Sequence, residues 1–125
     1  MQTKIMDGKT VTATTAPDKR MSISRGGGVS LHLATTTATG TWKIYGSNKP
    51  GADVDGDSQA SDVTAAFKDG AGNAVANPSG SASSQIVQAG PCYFAYLWAQ
   101  LEGASGGGPA YVYGNEVNIV PAGAQ

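Results

Sequence analysis

The stretch from Pro91 to Leu101, Pro-Cys-Tyr-Phe-Ala-Tyr-Leu-Trp-Ala-Gln-Leu, constrains the fold most, because no other segment concentrates as much large apolar surface. Four of the nine aromatic residues lie in it. Side chains of an extended strand alternate between faces. Tyr93, Ala95, Leu97, Ala99 and Leu101 would line one side, and Phe94, Tyr96, Trp98 and Gln100 the other. A strand that is apolar on both faces is either covered above and below or keeps one face for a partner. The rings of Phe94, Tyr96 and Trp98 therefore have two readings. They are the core of the protein, with the Ala and Leu face under a covering loop, or they are an interface, where rigid aromatic area is favoured.

Elsewhere the chain repeats a two-residue alternation between turn signals, and no segment has helical spacing. Lys9 to Thr15 places Val11 and Ala13 inward and threonines outward, and Pro17-Asp18 turns it. Met21 to Ser24 is a short strand, and Gly26 to Gly28 allows a bend into Val29-Ser-Leu-His-Leu33, with His32 pointing away from the core. Gly40 to Asn48 sets Trp42 and Ile44 on one face. Further strands are expected at Asp62 to Phe67 and Ser84 to Gln88. The tail, Ala110 to Tyr113 and Glu116 to Val120, is one bent strand or two strands broken at Gly114-Asn115. Residues 69–84 read mostly as loop.

Eight or nine short strands of this kind fit an all-β, antiparallel double-sheet sandwich, in which each sheet hides its apolar face on the other. Jelly-roll topology is the preferred version and an immunoglobulin-like sandwich the second. The expected core is Val29, Leu31, Leu33, Trp42 and Ile44, forming a second sheet that covers one side of the aromatic strand at Leu97. A chain of 125 residues reads as a single domain, 1–125, with residues 1–8 as an extended arm and 121–125 as a tail.

With a formal net charge of -1 and eight Lys and Arg, the chain lacks the basic footprint expected for nucleic acid or an anionic membrane. The N-terminus has no signal-peptide core, and the longest apolar run is far short of a membrane span. The expectation is a soluble protein made in the cytoplasm. Cys92 is the single cysteine, so stability must come from packing or association rather than an intrachain disulfide.

Asp53, Asp55 and Asp57 form the most site-like short sequence, since carboxylates two residues apart in a tight loop can converge on calcium. Gly56 falls between the second and third aspartates, and Thr64 stands where an EF-hand has its bidentate Glu, so a solvated loop tip is the preferred reading. His32 has no Gly-X-Ser-X-Gly elbow to serve, and the glycine runs at 26–28 and 106–108 precede neither a helix nor Gly-Lys-Ser/Thr. Cys92 reads as a small buried hydrophobe. No catalytic set and no cofactor is expected.

Gly40-Thr-Trp-Lys-Ile-Tyr-Gly-Ser-Asn48, then Asp62-Val-Thr64, Gly90 to Trp98 and Ser105-Gly-Gly-Gly108, resembles a recurrent arrangement in small virion proteins of tailed bacteriophages. It is also similar to a stripped discoidin or galactose-binding jelly roll, in which a tryptophan-bearing strand ends in Gly-Ser-Asn. Lys49-Pro50 replaces the Asp-Gly usual after that motif, and the residues of a sugar site have no counterparts, so ligand binding is not carried over. The resemblance implies a capsid decoration or cement protein on the virion surface. Its partners would be the major capsid protein and further copies of itself, as a dimer or trimer. The alternative is a carbohydrate- or receptor-binding module of a tail or baseplate.

Overall fold

Nine strands and one turn of 3-10 helix follow one another along the chain in a computed structural model that describes residues 2–24, 26–50 and 60–117. The strands are β1 (Gln2–Lys9), β2 (Thr14–Thr15), β3 (Met21–Ser22), β4 (Gly28–Thr35), β5 (Thr39–Ser47), β6 (Ser61–Asp62), β7 (Ser83–Ala89), β8 (Tyr96–Ser105) and β9 (Ala110–Val117). They form two antiparallel sheets: β1-β9-β4-β7, and β2-β8-β5-β6 with β3 also on β8. β2 meets β8 at Leu101 and Glu102 and β3 meets it at Leu97 and Tyr96, so the two are one interrupted edge strand. Between them the Asp18 and Lys19 amides turn to the Ile5 carbonyl, at 2.9 and 3.4 Å. Counted this way, the strand order is that of a jelly roll, in which each sheet interleaves early and late strands.

Cross-strand pairing assigns the faces. In the second sheet Trp42 pairs with Leu101, Ile44 with Ala99 and Gly46 with Leu97. In the first, Leu31 pairs with Val87 and Leu33 with Val112. These apolar side chains meet between the sheets, and Val29, Leu31, Leu33, Trp42, Ile44 and Leu97 are all buried. Full burial of an aliphatic side chain stabilises by about 1.5–3 kcal/mol each. Gly114 belongs to this packing: a Cβ there would lie 2.6 Å from the Met21 sulfur and 3.2 Å from Leu31 Cδ2. The bare backbone of β9 lets Met21 reach in from the opposite sheet.

Several segments depart from simple alternation. Trp42 and Ile44 lie in the same sheet as Leu97, beside it rather than across from it; the opposing cover comes from Val29, Leu31 and Leu33. Residues 2–9 are not an arm but strand β1, paired along β9. Register shifts between Lys4 and Met6, and Ile5 and Met6 are both fully buried, so the two-residue period that would reveal this strand is broken at that point.

Of Lys9 to Thr15, Lys9 ends β1, Thr14–Thr15 is β2, and the four residues between them are not strand. The Thr15 hydroxyl accepts the Thr12 amide at 3.0 Å and donates to the Thr12 carbonyl at 2.9 Å, which buries Thr15 and leaves Ala13 exposed. Strand β6 stops at Asp62, because its carboxylate accepts the Thr64 amide at 2.9 Å and hydroxyl at 2.6 Å. The chain then enters the 3-10 turn Thr64–Ala66, delivering Phe67 to the core. The tail is one continuous strand through Gly114-Asn115 as far as Val117; residues 118–125, including the end of the expected strand and the tail, lie outside the described residues.

Residues 68–80 cross from one sheet to the other. Lys68 and Gln88 exchange backbone hydrogen bonds at 3.1 and 2.9 Å on the free edge of β7. The Gln85 side chain brackets the Ala76 backbone at 2.9 and 2.6 Å. The loop then reaches β5, where Asn77 Oδ1 accepts the Trp42 amide at 3.0 Å and the Gly80 amide donates to Ala38 at 3.0 Å. Further along, Thr64 Oγ1 accepts the Ile44 amide at 2.8 Å. Two side-chain oxygens thus take amides that a longer β6 would have paired.

Candidate interaction surface

The three rings expected on one face are distributed over two. Strand β8 begins only at Tyr96, so the alternation from 91 to 95 is not that of a strand. Phe94 lies over Gly46, the partner of Leu97, on the core side of the second sheet. Tyr96 and Trp98 project from the opposite face. Gly46 is required there, since a Cβ would lie 2.8 Å from the Phe94 ring.

Trp98 is on the outer face and is still fully buried. Tyr45, its cross-strand partner, stands 6.0 Å away between ring centroids, and the Arg20 guanidinium carbon lies 4.8 Å above its ring. Such a cation over an indole is attracted by the ring's negative face. Around it the Glu102 carboxylate accepts from the Tyr45 hydroxyl at 2.7 Å and from Gln100 Nε2 at 2.8 Å. Trp98 is therefore part of a second, smaller packed layer outside the sheet, a possibility that strict core-or-interface reasoning does not contain.

The end of the sandwich near Phe94 is shaped differently. Phe67, Val63, Ala66, Ala89, Pro91 and Phe94 line an apolar hollow of about 290 Å³, with Tyr93 at its lip. Tyr93 is 68% exposed. Cys92 also lines it, 4% exposed, and burial raises its thiol above the ordinary value. A neighbouring polar hollow of about 400 Å³ is lined by Ser47, Asn48, Lys49 and Ser61 and shares Val63 and Phe94 with the first.

The outer face of the first sheet carries a row of rings. Tyr111 and Tyr113 on β9 have centroids 6.1 Å apart, and His32 meets Tyr113 edge-on at 6.2 Å. The Tyr113 hydroxyl donates to Asp7 at 2.7 Å; that carboxylate, aided by desolvation, pushes the phenol up to about 12. His32 Nε2 lies 2.6 Å from the Ser84 hydroxyl, and Ile86 beside it is 60% exposed. The three rings come from two strands, β4 and β9, whose adjacency cannot be read from periodicity.

Asp53, Asp55 and Asp57 fall outside the described residues. Among the described residues, no group of three or more His, Cys, Asp or Glu is placed to hold a metal ion. No helix among them is long and apolar enough to cross a membrane. No family model, curated protein or solved structure matches the chain.

Proposed function

We propose that the chain is a structural protein of a bacteriophage particle, which decorates or cements the capsid by bridging coat subunits and acts through its surfaces rather than through catalysis. The observation that carries this reading is the jelly-roll strand order, an architecture used by viral shell proteins. Loops at the hollow end support it. The segment presenting Tyr93 is tied on both sides by backbone hydrogen bonds, which lowers the ordering cost of docking. The protein is made in the host cytoplasm and ends on the shell surface, with the major capsid protein as its partner. Quantitative mass spectrometry of purified particles tests this: many copies per particle are expected, and absence from particles, or a handful at a tail tip, refutes it.

The row of Tyr111, Tyr113 and His32 favours a second reading, a carbohydrate- or receptor-binding module of a tail or baseplate. Flat aromatic faces beside hydroxyl and carboxylate groups suit the apolar face of a sugar ring. Glycan binding that disappears in Tyr111→Ala would move the assignment to this reading, and blank glycan arrays would remove it.

A further inference from the structure

We draw no further inference here: the strongest candidate, the apolar hollow lined by Val63, Phe67, Ala89, Pro91 and Phe94 at one end of the sandwich, carries none, because nothing in the structure shows what covers it.

Discussion

Tyr45 and Trp98 pair across the β5–β8 ladder with ring centroids 6.0 Å apart on the outer face of their sheet, and Trp98 is as inaccessible there as any residue between the sheets. Trp98→Ala should cost about 3–5 kcal/mol, as for an aromatic truncation in a core. A denaturant titration would show it. A loss within about 0.5 kcal/mol, the usual range of a surface substitution, would mean that the layer over Trp98 contributes no packing.

Gly46→Ala would place a methyl 2.8 Å from the Phe94 ring, whose neighbours Pro91 and Cys92 are part of the same packed end. Overpacking of this kind costs about 1–3 kcal/mol. Thermal melts of Gly46→Ala alone and combined with Phe94→Leu check the cause: the second change should recover part of the loss, and simple additivity of the two would place the strain elsewhere.

Thr64 takes the place of a missing strand at the edge of β5, accepting the Ile44 amide at 2.8 Å. Thr64→Val preserves shape but removes the acceptor, and an amide left without a partner costs about 1–3 kcal/mol. Hydrogen exchange should quicken at Ile44 while Trp42, held by Asn77, stays protected. Unchanged exchange at Ile44 would contradict this account of the edge.

The phenol of Tyr113 is raised from its ordinary 10.0 to about 12, first by its hydrogen bond to Asp7 and then by desolvation. A raised folded-state value means that folding favours the protonated phenol. Its contribution is complete below about pH 10 and is lost as pH rises toward 12. Asp7→Asn should bring the Tyr113 titration, followed by the ring signals in NMR, back down toward 10.0. A titration unchanged by the substitution would show that Asp7 is not the cause.

Asp62 behaves in the opposite sense. Burial tends to raise it, but hydrogen bonds from the Thr64 hydroxyl and amide and the nearby Lys43 outweigh burial, and its value is lowered. The stability from this carboxylate is present above the ordinary 3.8 and is lost as pH falls through its lowered folded-state value. Asp62→Asn should flatten that part of the acid unfolding curve; a curve of the same steepness would exclude the group.

Periodicity carried the fold class because burial on one face imposes a two-residue rhythm, and Val29, Leu31, Leu33, Trp42 and Ile44 keep it without interruption. It does not say which strands are neighbours, so Trp42 and Ile44 were legible as buried but not as companions of Leu97 within one sheet. Strand β1 escaped notice because a bulge puts Ile5 and Met6 inside together. The end of β6 was lost to local chemistry, with Asp62 capping Thr64. Tyr93 looked like part of an alternating face because Pro91-Cys92-Tyr93 reads as strand in one dimension. Backbone ties of Cys92 and Ala95, on either side of it, to Ile23, Gly26, Gly27 and Ser47, all far away in sequence, hold it instead in the segment that precedes β8.

The segment from Lys68 to Gly80 has a consequence beyond the two edges it covers. Exposed strand edges are where foreign β-strands attach, and here one loop guards β7 through Lys68 and Ala76 and β5 through Asn77. Shortening it would open both sheets to polymerisation at once. The expected first sign is fibre formation in the purified protein, well before any loss of the sandwich itself.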